Sequence, residues 1–248
     1  MAQKDFLNAR IEDAALKAER MGIAVYVDFY EPQLQHIIER EIGRYPSCDC
    51  EFFGGHEYCE RKMLAVFPKG DAPSYDDYPI DCIHIKTKNM DISHPDVLGS
   101  LLGLGLQREK TGDINIVGDS VQLFVEAPLG EFVENNLLKI SRYEVEAKRV
   151  SASDVISVEP SFTPVSIIIP SMRIDAVIHS VYKLSRSEAS NFVKSEKVYV
   201  NHVVCAKPGA VVKAGDVVSV RSKGRFIVDE ITGNTKKGNI KLAVRKFV

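Results

Sequence analysis

The sequence has no long apolar segment and little net charge. No run of about 18 or more consecutive apolar residues occurs, and the N-terminal stretch MAQKDFLNARIEDAALKAERMG lacks the short apolar core of a signal peptide. These absences predict a cytoplasmic protein without a membrane segment. The five cysteines are an odd number, which argues against a framework of disulfides and predicts reduced thiols.

The net charge of −2 conceals an uneven distribution. From Ser171 to Val248 there are 15 lysine and arginine residues against 6 aspartate and glutamate residues, a net charge of +9, whereas the preceding residues carry −11. A basic C-terminal segment on an acidic body is typical of a protein with one module that binds a polyanion. Chance clustering of solvated lysines is the alternative.

A chain of 248 residues with 45% hydrophobic side chains is long enough for two or three domains. In residues 1–75, apolar side chains at helical spacing predict a helix that ends near Gly22, and Pro32 suits the start of a second. Two strands are predicted on either side of Gly54 and Gly55. The polar stretch KGDAPSYDDYP is the predicted linker to the next module.

Residues 76–165 predict the order β-α-β-β-α-β, which is the ferredoxin-like arrangement shared by common RNA-recognition modules. Alternation along its first and third strands places Cys82, His84 and Lys86 beside Gln122 and Phe124 on the expected RNA-facing side of the sheet. Only His84 and Phe124 among them could stack on bases, so docking of a protein is as good an explanation of this face.

Residues 171–248 form the third predicted module, after a proline-containing connector that carries an edge strand. Two short helices are predicted, with Ser185 or Ser187 as the cap of the second, followed by strands that complete a small sheet. Serine hydroxyls and backbone amides at such a helix start can bind a phosphate, and neighbouring cations favour it. The fold class is therefore α+β: an N-terminal helix and strand module, a ferredoxin-like centre, and this C-terminal domain.

The C-terminal segment resembles the RNA-binding domain named after ribosomal small-subunit protein four, here called the S-four domain. The matching residues are Arg173, Asp175, Ser185, Arg186, Ser187, Ala189, Lys197, Val198, Val200, Asn201, Pro208, Gly215 and Asp216. This resemblance implies two helices on a small sheet that hold structured RNA. The implied RNA contacts are Arg173, Ser185, Arg186, Ser187, Lys194, Lys197 and Asn201. Asn201 could instead only shape its turn, and Asp175 is expected to pair with a cation.

The front of the chain resembles the YlmH-type proteins of Gram-positive bacteria and related chloroplast proteins. The matching residues are Phe53, Gly54, Gly55, Glu60, Arg61, His94, Leu98, Gly99, Gly103, Gly105, Arg108, Glu109, Gly112 and Asp113. One departure is Pro95-Asp96-Val97, where the family often has a basic residue after the histidine. The resemblance implies a non-enzymatic protein that binds ribosomal RNA or tRNA at the large ribosomal subunit carrying stalled peptidyl-tRNA, in ribosome-associated quality control. We expect it to be a monomer.

The glycines of GLGLQ end a predicted helix instead of starting one, which argues against a dinucleotide site. Their exposed backbone, with Arg108 and Lys110 after it, is a further candidate contact with an RNA phosphate; a helix end and a solvated loop is the alternative.

Cys48, Cys50, His56 and Cys59 do not have the spacing of a common zinc site, so no metal and no cofactor is predicted. Two other functions remain open: a ribosomal-RNA methyltransferase or pseudouridine synthase with an appended S-four domain, and an interaction protein linked to cell division. The sequence lacks the glycine-rich turn expected of a methyltransferase, and its front part is too short for the catalytic domain of a pseudouridine synthase. A cell-division protein without RNA contact would leave the +9 module unexplained.

Overall fold

Helix α1 (Ala2–Met21) opens the chain in the computed structural model, which describes residues 2–248, with side chains from Leu7 onward. As the spacing predicts, Ile11 and Ala18 lie on its buried face. Gly22, at φ 66°, ends the helix by donating its backbone N–H to the carbonyl of Ala18.

The first sheet contains β1 (Val25–Tyr30), β2 (Cys48–Phe53) and β3 (Lys62–Pro68) in the antiparallel order β1-β3-β2. Helix α2 (Pro32–Ile42) follows β1 and begins at the predicted proline. Side chains alternate along β3, so Leu64 and Val66 pack with α1 and α2 on one face. Strand β1 was not predicted from the sequence.

The second sheet has the predicted ferredoxin-like order. Its elements are β4 (Ile80–Lys86), α3 (His94–Gly103), β5 (Thr111–Val117), β6 (Ser120–Glu126), α4 (Ala127–Asn136) and β9 (Ala147–Val150). The strands are antiparallel in the order β5-β6-β4-β9. A short hairpin, β7 (Lys139–Ile140) with β8 (Tyr143–Glu144), separates α4 from β9. Helices α3 and α4 cover the face that carries Ile83 and Leu123.

The two sheets pack against each other through their remaining faces. Phe29 and Met63 of the first sheet share a buried cluster with Cys82 and Phe124 of the second. Four layers result, with a pair of helices outside each sheet, and the apolar area removed from water between the sheets stabilises the arrangement.

The C-terminal sheet has six antiparallel strands in the order β10-β15-β14-β13-β11-β12. Its strands are β10 (Phe162–Ile169), β11 (Val198–Val200), β12 (Val203–Val204), β13 (Val217–Val220), β14 (Gly224–Asn234) and β15 (Ile240–Phe247). Helices α5 (Ile174–Tyr182) and α6 (Arg186–Lys194) pack on it through Ile178, Val181 and Val193.

The chain divides into two compact units, Met1–Val158 and Glu159–Val248. Both front modules predicted from the sequence fall largely in the first unit. The connector strand predicted before residue 171 is β10, and it belongs to the second unit because it pairs with β15 along its whole length, from Phe162 to Ile169. No helix in residues 2–248 is long and apolar enough to cross a membrane.

Candidate nucleic-acid interface

The N-terminus of α6 is capped by the side chains of Ser185 and Glu188. Ser185 is the N-cap: its Oγ accepts the backbone N–H of Glu188 at 3.2 Å, while the Glu188 carboxylate accepts the backbone N–H of Ser185 at 2.8 Å. Ser187 Oγ lies 3.0 Å from Ser185 Oγ. Both predicted serine contacts thus lie at the predicted helix start, where the Ser185 hydroxyl caps the helix and the Ser187 hydroxyl lies beside it. The hydrogen bond from Ser185 lowers the pKa of Glu188, so this carboxylate is charged at neutral pH.

Two arginines from the predicted set line one cleft beside this helix start. The cleft has a volume of about 210 Å³ and is lined by Pro170, Ser171, Arg173, Asp175, Ala176 and Arg186. Arg173 donates to both carboxylate oxygens of Asp175, from Nε at 3.0 Å and from Nη2 at 2.6 Å, and its side chain is 51% exposed. Asp175 therefore pairs with a cation, as predicted, and the hydrogen bond from Arg173 lowers the pKa of its carboxyl.

Arg186 is the open cation of this cleft. It is exposed at the first position of α6, and in the described part of the chain it makes no hydrogen bond or ion pair. Its charge helps to lower the pKa of Asp175, after the hydrogen bond from Arg173, but its N–H groups make no hydrogen bond among the described residues, so they can donate to a phosphate. Among the predicted contacts, Arg186 is the one with the most available donors.

Lys194 and Lys197 are two further cations of the predicted set, at the other end of α6. Both are exposed, and the Lys197 ammonium lies 6.0 Å from the centre of the Phe192 ring. The turn between β13 and β14 runs beside them, because the backbone N–H of Arg221 donates to the carbonyl of Lys197 at 2.8 Å. We call Arg173, Arg186, Lys194, Lys197, Arg221 and Lys223 the basic face.

Arg221 and Lys223 of the basic face are additions to the predicted set. Lys223 is close enough to Glu188 that its charge helps to lower the pKa of that carboxyl, after the hydrogen bonds from Ser185. The sequence signal was the pair of cations in a turn after the strand VVSV. The sequence does not show that this turn packs against the end of α6.

Asn201 stabilises the turn in which it lies. At φ 47°, its Nδ2 donates to Asp216 Oδ1 at 2.8 Å and its Oδ1 accepts the backbone N–H of Val217 at 2.9 Å. The turn after β11 is thereby fixed to the start of β13. Of the two roles left open by the sequence, the structure shows the turn, and we leave Asn201 out of the basic face.

Arg108 and Lys110 lie in the first unit and are engaged internally. Arg108 Nη1 donates to the carbonyls of Thr111 at 2.9 Å and Gly112 at 3.0 Å. Burial, and the nearby charge of Arg61, lower the pKa of Arg108 to about 10. Because these donors point to the protein's own carbonyls, Arg108 does not present the open cation that the sequence pattern predicts.

Lys110 joins both sheets of the first unit. Its Nζ lies 2.8 Å from Asp28 of β1 and 2.7 Å from Glu126 of β6. Burial disfavours its charge, but the hydrogen bonds to these two carboxylates outweigh that effect and raise the pKa of Lys110. The basic loop therefore makes contacts that hold parts of the first unit together, and we include neither Arg108 nor Lys110 in the proposed interface.

Four of the residues that carry the front resemblance, Glu60, Arg61, Arg108 and Asp113, are joined by internal hydrogen bonds. Asp113 accepts the backbone N–H groups of Glu60 at 2.6 Å and Arg61 at 3.0 Å, and the Arg61 guanidinium donates to the carbonyls of Phe29, Arg108 and Thr111. Burial raises the pKa of Asp113 and lowers that of Arg61. These side chains hold the turn after Phe53 against the loop before β5, so the pattern reflects packing between modules.

The expected RNA-facing side of the second sheet is largely covered. The strands that carry the predicted face are neighbours: Cys82 lies opposite Phe124, and His84 opposite Gln122. Phe124 is 1% exposed, and a Cβ on Gly55 would lie 2.4 Å from its ring. Gln122 exchanges hydrogen bonds with the backbone N–H and carbonyl of Ile156. Phe124 is therefore not available for base stacking, because its own chain packs over it.

The cysteines are free thiols. Cys59 Sγ donates to the carbonyl of Gly54 at 3.1 Å, and burial raises the pKa of Cys50 and of Cys59 to about 12. In the part of the chain from residue 7 onward, no group of three or more His, Cys, Asp or Glu side chains is arranged to hold a metal ion.

Two half-buried histidines of the first unit, His56 and His94, lead us to expect that this unit loses stability in acid. Burial lowers the pKa of His56 and of His94 below 6.5. A histidine whose pKa is lower in the folded state contributes stability that is present above its unfolded pKa and lost as pH falls through the folded pKa. We expect the melting temperature to fall between about pH 7 and pH 5.

The matched variant is His56→Gln with His94→Gln, whose melting temperature should change less over the same interval. Because Asp113 titrates in both proteins, the difference between their pH profiles reports the histidines. Parallel profiles would show that neither buried imidazole resists protonation.

A ferredoxin-like sheet and a basic two-helix domain in one chain are the parts of a modular RNA-binding protein. Two family models match this chain: "Putative RNA-binding domain in YlmH" over residues 73–154 and "S4 domain", the S-four domain above, over residues 172–218. The chain is 31% identical over 241 residues to the Bacillus subtilis (strain 168) protein named "Ribosome-associated protein quality control protein P2", covering 95% of this chain and 91% of that one.

The chain therefore belongs to the YlmH family of RNA-binding proteins. The solved structure named "Cell division protein ylmH from Streptococcus pneumoniae" covers 63% of this chain and 96% of its own, with a TM-score of 0.55 and 17% sequence identity. At that identity the likeness concerns the fold alone.

Proposed function

We propose that this protein is a non-enzymatic RNA-binding protein that acts in the cytoplasm as a monomer, on ribosomal RNA or tRNA at the large ribosomal subunit with stalled peptidyl-tRNA. The observation that carries the proposal is the open Arg186 beside Arg173 in a C-terminal segment of net charge +9. The name of the 31% identical relative, which refers to ribosome association and quality control, supports the location.

In this proposal the second unit binds the RNA backbone and the first unit selects the place on the ribosome. The basic face supplies cations from α5, α6 and the turn before β14, which suits phosphates on a curved backbone and reads no base sequence. The acidic first unit repels RNA in general, so its contribution is expected from contacts of another kind.

Sedimentation with purified large subunits tests the location. We expect the full-length protein to migrate with subunits that carry peptidyl-tRNA and to be retained less by empty subunits at moderate salt. Crosslinking followed by RNA sequencing would then identify the bound element. Equal retention on small subunits, or crosslinks scattered over all ribosomal RNA, would contradict the proposal.

The enzymatic alternative has its own measurement. Purified protein incubated with ribosomal RNA and S-adenosylmethionine is expected to yield no modified base by mass spectrometry, and no pseudouridine without the cofactor. Appearance of either product, dependent on the protein, would replace a binding function with catalysis.

A further inference from the structure

An aromatic cleft opens between the two sheets of the first unit. It has a volume of about 280 Å³ and is lined by Phe53, Gly55, Tyr75, Asp76, Tyr78, Ile80, Cys82, Phe124, Val150, Ala152 and Val155. Residues of β4, β6 and β9 contribute to it from the second sheet, and Phe53 from the end of β2. The volume is just under the range of about 300 to 1,000 Å³ of pockets for drug-sized ligands, so the cleft fits one side chain or one small ring.

Tyr75 is an aromatic platform at the rim of the cleft. Its ring stacks on that of Phe53, with centroids 4.5 Å apart and an angle of 11°, yet Tyr75 is 63% exposed. The turn that carries it is fixed, because Ser74 accepts the backbone N–H of Asp76 and donates its own to Asp77. A ring held in this way, with much of its surface open, is suited to receive a planar group.

The charged group of the cleft is a carboxylate. Asp76 is one of the lining residues and is exposed, and the described lining residues include no lysine, arginine or histidine. A cation beside Tyr75 would therefore meet a negative charge and no competing positive one.

We propose that this cleft binds an arginine side chain of a basic polypeptide partner. A guanidinium is planar, stacks on aromatic faces and donates hydrogen bonds to carboxylates, which match the open Tyr75 ring and Asp76. The −11 charge of the residues before Ser171 attracts a basic chain and repels RNA phosphates, for which the cleft offers no cation. The inference goes beyond the proposed RNA-binding function, whose basic face lies in the second unit.

The test is a titration of the full-length protein, with isotope-labelled tyrosine rings, observed by NMR. The probes are acetyl-Gly-Arg-Gly-amide and the same peptide with citrulline, which keeps the shape of arginine and lacks its charge. We expect saturable shifts of the Tyr75 and Tyr78 rings with the arginine peptide and weak, unsaturated ones with citrulline. Tyr75→Ser and Asp76→Asn should each weaken binding roughly three- to tenfold.

Phe132→Ser is the matched control, because Phe132 is an aromatic residue of α4 that is 43% exposed and outside the cleft. It should leave the titration unchanged. Equal shifts with both peptides, or none with arginine, would overturn the proposal, and saturation by adenosine or cytidine monophosphate instead would make the cleft a nucleobase site. RNA binding by Tyr75→Ser and Asp76→Asn is expected to match the unmodified protein, so either proposal can fail without the other.

Discussion

Replacing both Arg173 and Arg186 by alanine is expected to weaken binding to structured RNA by about a hundredfold at low salt. Each guanidinium in the cleft can make charge-assisted hydrogen bonds to phosphate, and a loss of roughly tenfold per arginine corresponds to about 1.4 kcal/mol each. The slope of log affinity against log salt concentration should also become less steep by roughly one for each lost phosphate contact. Filter binding between about 50 and 200 mM salt measures both quantities.

The control removes the same charge from another part of the same unit. Lys236 and Lys237 are exposed in the turn between β14 and β15, outside the basic face. Lys236→Ala with Lys237→Ala should change affinity only slightly. If the two double variants lost affinity equally, the +9 charge would act as a diffuse field and the cleft would have no special role.

Gly55→Ala is expected to destabilise the first unit by roughly 2 to 5 kcal/mol. An alanine Cβ would lie 2.4 Å from two ring atoms of Phe124, a side chain that is 1% exposed, and φ at this position is 107°. The estimate combines overpacking of a closed core with a backbone conformation that side chains rarely adopt. Urea unfolding followed by circular dichroism gives the free energy of unfolding.

A substitution at Gly70 measures the cost of the backbone conformation without the overpacking. The φ of Gly70 is 97°, but a Cβ there would meet nothing within 4 Å, so Gly70→Ala should cost only about 1 to 2 kcal/mol from the backbone. Adding Phe124→Leu to Gly55→Ala should cost less than the sum of the separate changes, because the two residues are in contact. If Gly55→Ala were no worse than Gly70→Ala, Phe124 would not be covered by this turn.

Local patterns predicted much of this fold. Ser185 as a cap needs only the residues of one helical turn, and the shared face of Cys82 and Phe124 follows from alternation in two neighbouring strands. The resemblance to known families identified the kind of protein. The pairing of Asp175 with Arg173 was also predictable, because the partners are two residues apart.

Contacts between distant segments were the parts that the sequence could not predict. Lys110 looks open in its loop, but its partners Asp28 and Glu126 lie on strands of two different sheets. Phe124 looks available for stacking because alternation defines a face and does not say what covers it. In both cases the missing information is which surfaces of separate modules pack together.

The position of β15 has a consequence for biosynthesis. In the described sheet β10 pairs with β15 alone, and β15 lies between β10 and β14 although it follows both in the sequence. During translation the apolar run Ile167–Ile169 therefore emerges long before its partner and waits as an unpaired edge, which is a hazard for aggregation. Without β15, β14 would have an open edge and β10 would have no partner strand, so the sheet of the second unit is complete only once β15 has been synthesised.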